Sequence, residues 1–121
     1  MAQYYYHTKD MENRLAGEGY STAIGTWVDG ERIIFGEIRI PAGTKAEPHS
    51  HPNEQFIIVL EGRTRFVIGG EEKVVGKGGI VHIPANVIHS TEVVGNEDLL
   101  FITAKDTSWG IQGVPASDQK S

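Results

Sequence analysis

The residues with most chemistry in this chain are His49-Ser50-His51-Pro52-Asn53-Glu54-Gln55, followed later by His89 in Ile83-Pro84-Ala85-Asn86-Val87-Ile88-His89. Side chains alternate between faces in an extended chain, so His49, His51 and Gln55 can all point one way while Glu54 points outward. Three imidazoles and an amide oxygen on one spot suit a borderline divalent metal ion, and Mn, Fe, Ni, Co and Zn all accept that mixture. Glu54 becomes the carboxylate ligand instead if the chain bulges after Pro52.

Composition narrows the surroundings of such a site. The 121 residues are enough for one domain with one core. A formal charge of −5 without a Lys/Arg cluster argues against nucleic acid and against an anionic membrane surface. There is no cysteine, so a metal must rest on His, carboxylate or amide ligands. No apolar stretch approaches membrane-spanning length, and Met1-Ala2-Gln3-Tyr4 does not open a secretory signal, so a cytoplasmic location is expected.

The elements that must position the site are short. Residues 22–28, 32–40, 56–60, 64–68, 72–75, 80–83 and 99–104 are β-rich runs separated by Asp29-Gly30, Gly62, Gly69-Gly70, Gly78-Gly79 and Gly95-Asn96. That punctuation predicts an all-β antiparallel sandwich or barrel of the jelly-roll kind, with a tight hairpin at Asp29-Gly30. Residues 1–20 form an N-terminal segment without clear period, 21–109 the β domain, and 110–121 a loosely attached tail. Phe56, Ile58 and Leu60 alternate with Ile57 and Val59, and Leu99 and Phe101 with Leu100 and Ile102. Strands that are apolar on both faces predict cover by a second subunit or by the N-terminal segment, and of the two a homodimer is favoured.

Residues 43–62 fit G-x5-H-x-H-x3-(E or Q)-x6-G, which resembles the first motif of the cupins. Gly78, Pro84, Asn86 and His89 resemble the second, with Asn86 where Gly is usual and Val93 where Asn is usual. Asn tolerates the left-handed conformation best after Gly, so Asn86 is a mild departure. The resemblance implies a double-stranded β-helix barrel in which His49, His51, Gln55 and His89 are the metal ligands. An amide in place of the usual Glu leaves the site's net charge at that of the ion alone, which favours Lewis-acid chemistry.

Other polar residues sit at strand positions that could face the same cavity. Glu37, Arg39, Arg63, Arg65 and Asp106 are candidate wall residues, though most such side chains are solvated. His82 reads as a strand residue hydrogen-bonded near the surface, His7 as a surface residue, Tyr4 to Tyr6 as packing, and Trp27 and Trp109 as core or rim. Lys105-Asp106-Thr107-Ser108 reads as an exit turn.

Cupins with a Gln at this position are similar to unsaturated-uronate processing enzymes and hydroxynitrile lyases, and polyketide cyclases and dioxygenases share the architecture. The uronate group usually carries Asp on the final strand and Arg just beyond, whereas this chain has the largely apolar 99–104 followed by Lys105-Asp106. That strand predicts a cavity for a less hydrophilic substrate. The expected activity is a metal-dependent, non-redox lyase, isomerase or cyclase of a small carbonyl or enolisable substrate. An iron-dependent dioxygenase and a non-catalytic ligand- or metal-binding module are the alternatives.

Overall fold

Alternating apolar residues and Gly or Pro breaks produce a β-sandwich, seen in a computed structural model that describes residues 3–118. After a 3-10 turn at Thr8–Asp10 come β1 (Arg14–Leu15), β2 (Ile24–Asp29), β3 (Ile33–Ile40), β4 (Lys45–Ser50), β5 (Gln55–Glu61) and β6 (Arg63–Ile68). Then follow β7 (Glu71–Val75), β8 (Ile80–Ile83), β9 (His89–Val94), β10 (Leu99–Asp106), β11 (Val114–Pro115) and a 3-10 turn at Ala116–Asp118. A six-stranded sheet runs β1-β2-β3-β10-β5-β8 and a five-stranded sheet runs β11-β4-β9-β6-β7, all pairs antiparallel. This is the jelly roll that the punctuation predicts.

The period-2 pattern decides which side chains meet between the sheets. Along β3, Ile34, Ile38 and Ile40 are buried while Ile33, Phe35 and Arg39 are exposed. Along β5, Ile57 and Val59 face inward and Phe56 and Ile58 outward. Leu99 and Phe101 of β10 and Phe66 and Val93 of the other sheet complete the core. Thr64 and Thr91, buried side by side on β6 and β9, satisfy each other through a short hydroxyl–hydroxyl hydrogen bond.

Two turns show what their glycines are for. Gly62 has φ +81°, and a Cβ there would lie 2.4 Å from the Asp98 carbonyl oxygen, so the β5–β6 turn requires glycine twice over. The β2–β3 connection departs from the expected tight turn: Gly30 is not among the positive-φ residues, and residues 30–32 make a longer loop. Gly30 is needed there for close approach, because its Cβ would sit 2.5 Å from the Ile33 oxygen.

The ends of the described chain are better attached than the sequence predicts. Ile111 is buried in the core, and β11 pairs with β4 through Val114↔Ser50 and Pro115↔His49. Gln112 accepts from the Gly17 and Glu18 amides at 2.7 and 3.2 Å and donates to the Leu15 carbonyl at 2.8 Å. Residues 119–121 of the expected tail lie outside the described residues. Tyr4, Tyr5 and Tyr6 are exposed rather than packed.

Candidate metal centre

The histidines come together by a sheet switch, not by alternation along one strand. β4 belongs to the five-stranded sheet and β5 to the six-stranded one, so His49, the following turn and Gln55 span the seam between them. Between Ala46 and His49 the pairing with β9 shifts register: Ala46 opposes Thr91, and His49 opposes His89. The extra residue at Glu47-Pro48 is a bulge, a place where a strand tolerates proline, and it turns both Ala46 and His49 toward the barrel interior. Asn86, at φ +66° the only non-glycine with positive φ among the described residues, donates its amide to the His51 carbonyl at 2.8 Å. The expected left-handed Asn86 thereby ties the turn before His89 to the His-x-His segment.

Each imidazole is oriented by its own backbone. Nδ1 of His49 lies 2.7 Å from the Glu47 oxygen, Nδ1 of His51 2.8 Å from the Asn53 oxygen, and Nδ1 of His89 2.9 Å from the Val87 oxygen. A carbonyl only accepts, so the ring proton belongs on Nδ1 and each Nε2 presents a lone pair. The ligating atoms of the three residues all lie within 4.8 Å of one another. Burial, the largest cause in each case, holds all three pKa values down: His49 to about 4, His89 to about 3, and His51 in the same direction. Neutral imidazole is the form a metal needs.

Gln55 completes the arrangement through its oxygen. Its Nε2 donates to Thr103 Oγ1 at 2.9 Å, and Thr103 in turn donates to the Phe56 carbonyl at 2.9 Å, which leaves Oε1 facing His51 Nε2 at 3.0 Å. A neutral His51 has one ring proton but faces an acceptor at both nitrogens, Asn53 O and Gln55 Oε1. With that proton on Nδ1, a lone pair meets a lone pair, and a cation shared by the two atoms resolves the conflict. The donor set therefore fits a divalent ion, and His49, His51 and His89 could hold one.

Glu54 takes no part. It faces outward, as its parity predicts, and its carboxylate lies 2.7 Å from His82 Nε2, which stacks on Phe56 at the exposed surface. His82 is thus the surface hydrogen-bonded strand residue that was expected, and His7 caps the exposed 3-10 turn by accepting from the Lys9 amide. Of the other wall candidates, Arg39 pairs with Asp98 and Arg65 with Glu72 and Glu92 on the outer surface. Glu37, Arg63 and Asp106 do not line the cavity either. Asp106 instead accepts from the amides of Glu54 and Ser108, and hydrogen bonding from the Ser108 side chain, then from those amides, holds its carboxyl below the usual range.

The residues that do line the cavity include several the sequence reading missed. A space of about 60 Å³ is bounded by His49, His89 and Gln55, by Tyr20, Trp27 and Lys105, and by apolar side chains such as Ile38, Ile57 and Phe101. Lys105 is not part of an exit turn: β10 continues through Asp106, and Lys105 points inward opposite Gln55. It shares odd parity with the buried Leu99, Phe101 and Thr103, the signal that could have found it. Its Nζ donates to the Ile111 carbonyl at 3.2 Å and lies 5.5 Å from the centroid of Trp27, and burial pushes its pKa down to about 8. Tyr20 packs 4.6 Å from the His49 ring and accepts from the Gly113 amide, and burial raises its pKa so that it stays a phenol. Asn53, fully buried, donates to the carbonyls of Asp106, Trp109 and Gly110 and fastens the chain after β10 to the His-x-His loop. Neither Tyr20 nor Asn53 carries a spacing signal.

Comparison with known proteins agrees with this architecture. An uncharacterized protein of Streptomyces coelicolor is 31% identical over 67 residues, covering 55% of this chain and 63% of that relative's length. Among solved structures, the polyketide cyclase RemF of Streptomyces resistomycificus superposes with TM-score 0.75 at 21% identity, covering 87% of this chain and 80% of that one. KdgF of Halomonas sp. gives 0.72 at 17% identity over 87% and 94%, and a predicted oxalate decarboxylase of Thermotoga maritima 0.70 at 18% over 83% and 96%. No helix among the described residues is long and apolar enough to cross a membrane. With the family profile described as "Cupin domain" matching residues 36–105, the chain belongs to the cupin family.

Proposed function

We propose that the chain is a metal-dependent, non-redox enzyme, a lyase, isomerase or cyclase of a small carbonyl or enolisable compound. In this reading His49, His51, Gln55 and His89 hold one divalent ion, drawn from Mn, Fe, Ni, Co and Zn. The observation that carries it is the donor set: three neutral imidazoles that present an Nε2 lone pair and an amide oxygen 3.0 Å from His51 Nε2, with no Asp or Glu among the described residues lining the cavity. An ion bound by neutral donors keeps its double charge and supplies Lewis acidity toward a carbonyl or enolate oxygen.

The chain's own residues do the rest. The carbonyls of Glu47, Asn53 and Val87 fix the ring orientations, and Thr103 fixes the Gln55 amide. Ile38, Ile57 and Phe101 exclude water from the substrate. Tyr20, a protonated hydroxyl beside His49, is placed to donate a proton. The likeness to a structure titled a polyketide cyclase supports this direction.

Reconstitution of metal-stripped protein with each ion, followed by solvent deuterium exchange into small ketones and oxo acids, tests the reading. Exchange that requires metal and consumes no oxygen is expected. Oxygen uptake stoichiometric with substrate would replace the proposal by an iron-dependent dioxygenase, and saturable binding with neither outcome by a binding module.

The homodimer belongs to the same reading. Phe35, Phe56, Ile58 and Ile80 are exposed on the outer face of the six-stranded sheet, at 52%, 48%, 37% and 70%. The register sets Phe35 and Phe56 on either side of Ala104 and Ile58 next to Ile80, so they form one continuous apolar face. A second copy meeting this face covers it.

A further inference from the structure

We infer that the cavity takes a small carboxylate, with Lys105 as the residue that recognises the acid group while the remaining oxygen of the ligand faces the histidines. The inference deepens the proposed function by naming a substrate class, and rests on it for the second half of that statement.

Lys105 is an ammonium with too few partners. Lys105 is 5% exposed, yet among the described residues its one hydrogen bond is to the Ile111 carbonyl, and it forms no ion pair. An ammonium has three donors, and a buried charge is costly unless paired. The Trp27 ring at 5.5 Å offsets part of that cost by cation–π attraction but offers no acceptor. Trp27 Nε1 is itself buried without a partner. Lys105 thus lines a cavity with no Asp or Glu among the described residues, together with His49 and His89, whose neutral rings and that of neighbouring His51 could hold a cation. Every feature of the wall that carries charge is positive, and the complementary ligand is an anion.

Size restricts the class. A cavity of about 60 Å³ offers room for roughly four to six water-sized sites, at about 10–15 Å³ each, and so for a ligand of about that many heavy atoms. A two- or three-carbon hydroxy or oxo acid fits, and its apolar carbon would meet Ile57 or Phe101. The apolar cavity predicted from 99–104 is therefore only half of the wall: Leu100 and Ile102 lie on the other face of β10, and Thr103 and Lys105 bring polarity inside.

Lysine could instead be a strut that ties residue 111 to β10. Lys105→Gln separates the two roles, because an amide can still donate to the Ile111 carbonyl but carries no charge. The probes are lactate and its neutral isostere lactamide, titrated into metal-loaded and metal-stripped protein by calorimetry, with metal content and melting temperature measured beside them. The wild type is expected to bind lactate about tenfold or more tightly than lactamide, and Lys105→Gln to bind both alike with metal content unchanged. A variant that keeps the preference, or a wild type that shows none, overturns the inference. If Lys105→Gln does not fold, acetylation of Lys105 in the wild type by an amine-directed ester decides: lactate and not lactamide should block it, and equal labelling with both refutes the assignment. Protein that binds no metal but retains a Lys105-dependent lactate preference would sink the metal-dependent reading, and with it the placing of the ligand's remaining oxygen, and leave the Lys105 assignment standing.

Discussion

Thr103→Val perturbs the candidate centre without touching a proposed ligand. Thr103 is fully buried and its hydroxyl does two things: it accepts from Gln55 Nε2 and donates to the Phe56 carbonyl, each at 2.9 Å. Valine keeps the volume and removes both bonds. A buried amide donor left without a partner costs about 1–3 kcal/mol, and one added methyl offsets up to about 0.8 kcal/mol of it. The net loss is about 0.2–2.2 kcal/mol, which at roughly 4 °C per kcal/mol for a chain of this length lowers the melting temperature of metal-free protein by about 1–9 °C. The second effect is the diagnostic one. With its amine unheld, the Gln55 amide can turn its oxygen away from His51, and loss of such an orienting partner lowers metal affinity by about 10–100-fold. Competition against a chelator of known affinity measures that change. A variant that melts lower yet binds metal within about twofold of wild type would refute the idea that Thr103 holds Gln55 as a ligand.

Two more outcomes follow from the same structure. His49 and His89 are held neutral in the fold, at about 4 and about 3, whereas the unfolded chain takes up those protons near pH 6.5. Their contribution to metal-free stability is complete above about pH 6.5 and is lost as pH falls toward 4, at up to about 1.4 kcal/mol per pH unit for each ring, so urea midpoints should fall steadily over that window; a flat profile would contradict the burial of neutral imidazoles. Ile80→Glu places a charge in the exposed apolar face and should convert a dimer to a folded monomer by sedimentation, whereas an unchanged sedimentation coefficient would remove this face as the subunit contact.

Much of the site was legible in the sequence because spacing survives folding even when the reason given for it does not. His49, His51 and Gln55 do converge, but from β4, the turn after it and β5, across two sheets, and the bulge at Glu47-Pro48 sets the inward facing of His49. Parity within one extended segment brings together the same residues that the fold does, for an incomplete reason. Glu54 and Asn86 behave as local rules dictate, since strand alternation and left-handed propensity are properties of a residue and its immediate neighbours. What escaped depends on contacts distant in sequence. Tyr20 reaches His49 and Gly113, and Gln112 reaches Leu15 and Gly17, across separations that no periodicity encodes. Lys105 escaped differently: its alternation with Phe101 and Thr103 was visible, but a lysine beside Asp and Ser looks like a turn, and only burial shows that it faces the cavity.

The central claim is that His49, His51, Gln55 and His89 hold one divalent ion. Elemental analysis of wild type and His51→Ala, each purified without added metal and then dialysed against a single ion, tests it most directly. Close to one ion per chain is expected in the wild type and its loss in the variant, with deuterium exchange into substrate disappearing in step. A wild type that retains no ion under any reconstitution, or a His51→Ala protein that binds metal as the wild type does, would contradict it.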